Sequence, residues 1–399
     1  MNNKKRDVNI DLLKILVMLM VMSLHYLSHQ RFLTQYQLGS SMYFLSWFLY
    51  GVCVVSVDVF ALITGYYLCG KTFSAKKLLD RIFEVLLSAQ FCSVLIGCLC
   101  IFFFGEEISV GNLLYSFFPT LTNTNWFITA YVLLLIISPM LDRLATKISE
   151  SVYKRTLILM FLFISVFPSI SLQYRVMTKI ESGVIVLFAF LYLLGGYIRM
   201  YGCNIGRLQA FFVYTCSTIL LVFSKFVIDY IIKKVPAIAN KLGPDLIGKY
   251  GDKFYEYSSF LVVIGAFALF MVFAKMKIEG NGLICKIIRF MAMSTLTVYV
   301  CHDQYIIRQE ILWNRIVNTD KFVKGNMQIV KLPIMMLLTV IIMYVIFSVV
   351  HNLIVTPLIT ILIRTKIVKN IKKHILCSRI YTTYIKFVTG QLKGSEGDI

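Results

Sequence analysis

Ten apolar blocks, most of them long enough to cross a bilayer as helices, constrain the fold of this chain more than any motif in it. About 20 helical residues, rising 1.5 Å each, cross roughly 30 Å of hydrocarbon. The blocks lie near 10–29, 46–68, 82–104, 125–141, 155–171, 183–200, 207–230, 257–275, 288–307 and 331–363. Lipid offers no partner to a free backbone N–H or C=O, so each block must close its hydrogen bonds internally as a helix. The expected fold is therefore all-α: a polytopic integral membrane helical bundle of about ten transmembrane helices. The fourth and fifth blocks are short and the last is long, so a re-entrant or merged segment would change the count by one. Composition agrees with a lipid environment. Apolar residues make up 58% and charged residues 15%, with a mean hydropathy of +0.78, whereas ordinary soluble domains carry about 25% charged residues.

A net charge of +20 would suit a nucleic-acid binder, but no basic stripe with interleaved aromatics is gathered on one soluble domain. The Lys and Arg residues instead cluster in short loops beside apolar spans, where they set orientation. The first loop on one side carries Lys71, Lys76, Lys77 and Arg81, while the first loop on the other carries only Arg31. The more basic side is expected to be cytoplasmic, and an even number of spans places both termini there, in a multi-pass protein of the plasma membrane. Lys4, Lys5 and Arg6 before an apolar run resemble a signal peptide. Asp11 and Lys14 interrupt that run and no small-residue cleavage site follows, so an uncleaved first helix is expected. Residues 1–363 read as one membrane-embedded domain. Residues 364–399 read as a basic tail, with Lys366, Lys369, Lys372 and Lys373 among Ile367, Ile371 and Ile375, the pattern of an amphipathic helix on an anionic leaflet. Its last residues, from Gly394, read as disordered. Of the ten cysteines, Cys53, Cys92, Cys98, Cys100, Cys216 and Cys301 fall in apolar blocks and no C-x-x-C pair exists, so they read as small packing residues.

Ionisable side chains within a span are costly, which makes them the first place to look for function. The first block holds Asp11, Lys14 and His25. At about 100° per residue, Lys14 and His25 differ by roughly 20° in azimuth, with Asp11 within about 60° of both, so all three share one face. Lys14 and His25 stand about 16 Å apart along the axis, giving a polar stripe with a cation near one surface and an imidazole near the other. Other roles remain open: Lys14 can snorkel to headgroups, Asp11 suits the first turn of any helix, and His25 can be an interfacial residue. His29, four residues on, would add one more nitrogen, too few ligands for a metal, and no metal is expected. Asp58 lies mid-span, either lining a pathway or paired with a cation.

These residues fall into a pattern that resembles acyltransferase family 3. The stretch Arg6-Asp7-Val8-Asn9-Ile10-Asp11-Leu12-Leu13-Lys14 leading to His25 is similar to the family's first helix. Val57 to Tyr66 resembles its second, with Thr64 in place of the usual serine. Lys76 to Ile82 resembles the basic stretch that opens the third helix, with Lys77 where arginine is common. Trp126-Phe127 through Tyr131 to Ser138-Pro139, and Ser294 to Tyr299-Val300-Cys301-His302, match two later motifs. Each motif alone is weak, but the five occur in order from residue 6 to about 360.

The resemblance implies a membrane O-acyltransferase, with residues 1–363 as its acyltransferase domain. The donor is expected to be cytoplasmic acyl-CoA, with acetyl-CoA the expected form. The acceptor is expected to be a sugar hydroxyl of a surface or exported polysaccharide, lipid-linked carriers included. Lys77 and Arg81 are expected to hold the donor's phosphates, helped by Lys14, although basic short loops on the inner side would carry such charge in any case. His25 is expected near the outer surface as general base or as covalent acyl carrier, two roles that sequence leaves open. His302, at similar depth, is expected to orient substrate or stabilise the oxyanion, with a packed polar residue as the plain alternative. Trp126 is expected beside the site or in the interfacial aromatic belt. The competing function is a transporter or flippase for a lipid-linked glycan, although matched broken helices in two halves are not found.

Overall fold

The structure, a computed structural model, describes residues 7–71, 74–104, 124–171, 182–235, 251–278, 282–323 and 327–389, with isolated positions between them. Lys4 to Arg6, most of the long segment after 235 and the residues from Gly394 lie outside the described residues. Among the described residues all regular structure is helical. The helices used below are α1 (Val8–His29), α2 (Ser41–Val54), α3 (Ser56–Leu68), α4 (Ala75–Phe104), α5 (Trp126–Lys147), α6 (Glu150–Ile170), α7 (Ser182–Tyr201) and α8 (Arg207–Lys234). They continue with α9 (Phe260–Ala274), α10 (Leu283–Met293), α11 (Thr295–His302), α12 (Ile307–Val317), α13 (Gln328–Arg364), α14 (Lys366–Cys377) and α15 (Arg379–Thr389).

Among the described residues, nine helical stretches are long and apolar enough to cross a membrane, and α10 with α11, bent by 47°, makes a tenth. This is the expected bundle, with revised boundaries. The third span begins at Ala75 rather than near 82, which puts Lys77 and Arg81 in its first two turns. The ninth ends at His302 rather than 307, because the Gln304 side chain accepts the backbone N–H of Ile306 at 2.8 Å and of Ile307 at 3.0 Å and so starts a new helix. That new helix, α12, has wide π-type turns and fills what sequence reads as a long loop. The outward faces carry Phe103, Phe163, Phe212, Phe223, Ile342 and Leu353, all exposed, the inside-out arrangement that lipid rather than water rewards.

Helix α1 runs through the centre, packed against α2, α3, α9, α10, α11 and α13, so an apolar sequence on nearly every face is what its position requires. The closest crossing is between α3 and α7. A Cβ placed on Gly65 would lie 1.9 Å from the carbonyl oxygen of Tyr192, and one on Gly195 would lie 2.2 Å from that of Leu62. Two glycines facing each other let two backbones touch, the usual device where lipid removes the hydrophobic drive between helices. The glycine of the second-helix motif is thus explained by packing. Lys225, within α8, meets Asp229 at 2.8 Å and Asp252 at 3.0 Å and lies 4.4 Å over the Trp47 ring, so its charge is compensated where it is buried.

The tail forms two helices held to the bundle. Lys372 on α14 pairs with Asp80 on α4 at 2.7 Å. Arg143 on α5 donates to the carbonyls of Phe387 and Val388 on α15, and Tyr384 donates to that of Ile136 at 2.7 Å.

Candidate active site

Two cavities lie end to end along one face of α1. The larger, about 720 Å³, is lined by Lys14, Lys77 and Arg81, together with Asp80, Glu84, Tyr131 and His351. The smaller, about 30 Å³, is lined by His25, Val21, Leu24, Val57, Trp126 and Tyr257. Met18, Phe60, Phe127 and Tyr299 belong to both linings and form the neck between them. On the stripe of α1 that sequence marks, Lys14 lines the larger cavity and His25 the smaller. The stripe is not polar throughout: its middle is a methionine with three aromatic rings, and the two spaces are distinct in this structure.

At the broad end, Lys14 donates to Asp11 Oδ1 at 3.3 Å and lies 5.2 Å over the Tyr67 ring. Asp11 is buried and acts on the cavity through Lys14 rather than by lining it. Arg81 donates to the Tyr131 hydroxyl at 3.0 Å, which ties α4 to α5. Asp80, between the two cations, is neutralised by Lys372, so the mouth keeps a cationic character suited to anionic ligands. His351, which sequence reasoning passed over, stands at the start of a π-type stretch of α13, its two ring nitrogens 2.7 Å from Thr297 Oγ1 and 3.2 Å from Thr356 Oγ1.

At the narrow end, α1 and α11 bring together two histidines 277 positions apart in sequence. His302 Nδ1 lies 2.7 Å from the carbonyl oxygen of Val298, one turn earlier in its own helix. A carbonyl only accepts, so Nδ1 of His302 carries a proton, and Nε2 of the neutral ring is left as the acceptor. His25 Nδ1 is 3.0 Å from that Nε2 and, by the same reasoning, donates to it. The remaining lone pair of the pair is then on His25 Nε2. Asp303 Oδ1 lies 3.6 Å from His25 Nδ1, too far for a good hydrogen bond, and 3.2 Å from Arg308, which compensates its charge. The arrangement offers an imidazole with a free nitrogen and an orienting partner, the groups that proton transfer requires.

Helix α12 covers this end. Trp313, fully buried, stacks on His29 with centroids 5.7 Å apart and planes 9° apart. Gln30 donates to the Trp313 carbonyl, and the Tyr26 hydroxyl lies 2.5 Å from Thr319 Oγ1. Trp126, stacked on Tyr257 at 5.7 Å, lines the small cavity, whereas His302 lines neither. Asp58 departs from expectation. It is fully buried, lines neither cavity, and among the described residues neither of its carboxylate oxygens has a hydrogen-bond partner. Its place in the first turn of α3, just after the break at Val55, puts it where a helix dipole favours an acid. Sequence reasoning missed Asp303, Arg308 and Trp313. The position of Asp303 directly after His302 was the one local signal, while Arg308 read only as loop charge.

The comparisons with known proteins bear on this geometry. No curated protein and no solved structure matches the chain. A family model described as an acyltransferase domain matches residues 7–348, a span that includes both histidines, the neck and the three cations of the broad cavity. The chain therefore belongs to acyltransferase family 3 and is a membrane acyltransferase.

Proposed function

We propose that the protein transfers an acetyl group from acetyl-CoA to a carbohydrate hydroxyl of a surface or exported glycan. The observation that carries the reading is a pair of adjoining cavities that share one neck, with cations in the broad one and a paired histidine in the narrow one. Coenzyme A has matching polarity, with phosphates at one end and a thioester at the far end of a long arm. In this reading Lys77 and Arg81 hold the phosphates at the cytoplasmic side, because a guanidinium fork and an ammonium both suit phosphate oxygens. Lys14 adds a third charge. The neck side chains part for the arm, and the thioester reaches His25. His25 Nε2 takes the proton of the attacking sugar hydroxyl as its oxygen bonds to the acyl carbon. The C–S bond breaks, and His25 returns the proton to the thiolate. His302 keeps the His25 ring in the required tautomer.

The test uses membranes carrying the full chain, labelled acetyl-CoA and candidate glycans. His25→Ala should abolish label transfer, by a factor of about 10² or more, while the protein still inserts; retained turnover would remove His25 from catalysis. A glycan transporter would consume no donor, so measuring thiol release separates the two functions.

A further inference from the structure

Resting on the acyl-CoA reading above, we infer that the small cavity beside His25 is a length gauge that favours the shortest acyl group, acetyl over its longer homologues, with Val57 and Leu24 as its end wall. The cavity measures about 30 Å³. That is a small fraction of the broad cavity's 720 Å³, so the chamber favours the shortest acyl groups. Its aliphatic walls away from the neck are Val21, Leu24 and Val57, between 3% and 5% exposed, so each is packed from behind as well. Cores at that density do not open by a methylene without displacing neighbours.

The gauge is also rigidly mounted. Leu24 is the residue next to His25 on α1, so the distance from imidazole to that wall does not vary with helix motion. Val57 sits on α3, whose position is fixed by the backbone contact of Gly65 and Gly195 with α7. The broad cavity has no such limit at about 720 Å³, and a longer acyl chain would fit below the neck. There its carbonyl carbon is separated from His25 by Met18, Phe60, Phe127 and Tyr299. Acyl length is therefore gauged in the narrow chamber, where the reacting carbon must sit.

The experiment compares acetyl-, propionyl- and butyryl-CoA as donors. The full-length protein is kept in membranes, bulk polysaccharide from the expression host is the acceptor, and His25→Ala membranes are the blank. Wild type should prefer acetyl over propionyl by about 10-fold or more in kcat/KM, the discrimination a close apolar pocket gives against one methylene. Val57→Ala and, as a gentler change, Leu24→Val should each lower that preference severalfold, and either variant alone suffices to read the ratio. Equal use of butyryl- and acetyl-CoA by wild type would overturn the gauge, as would an acetyl-to-propionyl ratio unmoved in both variants. If wild type consumes none of the three donors, the acyl-CoA reading itself falls, a different outcome from turnover without discrimination.

Discussion

Replacing His302 tests the histidine pair most directly. In the structure its Nε2 gives His25 Nδ1 a partner at 3.0 Å, and its own Nδ1 is anchored to Val298 at 2.7 Å. His302→Ala removes the acceptor and leaves His25 free to adopt the other tautomer, with its basic nitrogen turned to the wrong side. Leaving one buried donor without a partner costs about 1–3 kcal/mol, which is roughly 5- to 150-fold if the whole penalty falls on the reactive tautomer. The loss should appear in kcat. KM for acyl-CoA should stay near wild type, because the cations that bind the donor line the other cavity. His302→Gln restores an amide oxygen as acceptor and should recover part of the rate. The assay is thiol release from labelled acetyl-CoA in membranes, normalised to inserted protein. Wild-type turnover in His302→Ala would refute the orienting role. So would a His302→Gln variant that folds normally yet is no faster than the alanine variant.

Arg81→Ala should raise KM for acyl-CoA by about 10-fold or more, since one charge-assisted contact to phosphate is worth about 1.5–3 kcal/mol; a normal KM would take Arg81 out of the donor site. Gly65→Ala places a Cβ 1.9 Å from the Tyr192 carbonyl oxygen and should destabilise the bundle by about 1–3 kcal/mol or more. That loss is measurable as a lower midpoint in detergent thermal unfolding, and an unchanged midpoint would mean that α3 and α7 are not held this closely.

The fold was largely legible because the bilayer imposes a length and a hydrogen-bonding rule that sequence must obey locally. The ten blocks became the ten spans. His25 and Lys14 were marked by a local rule too, since helical period alone puts them on one face. What was not legible depends on chain segments meeting far from one another in sequence. Nothing near His302 indicates that its Nε2 lies against His25, and nothing near Trp313 indicates that it lies flat on His29. The 308–331 segment read as a long loop because charged residues break up its apolar ones before they reach the length of a span. It folds as α12 because Gln304 starts it and Trp313 finds a buried seat under it. Asp58 shows the converse limit: a mid-span carboxylate signals cost, but sequence does not say whether a cavity lies beside it.

The union of α1 with α11 also bears on how the protein is made. Asp11, Lys14 and His25 are made well before the histidine that completes the pair, which follows 277 positions after His25. At about 5–20 residues per second of synthesis, the nascent first helix waits on the order of 15 to 55 s before its imidazole has a protein partner. During that interval its polar edge must be sheltered by water at the lipid boundary or by the insertion machinery. The central helix of the bundle is thus threaded well before the contact that completes its histidine pair.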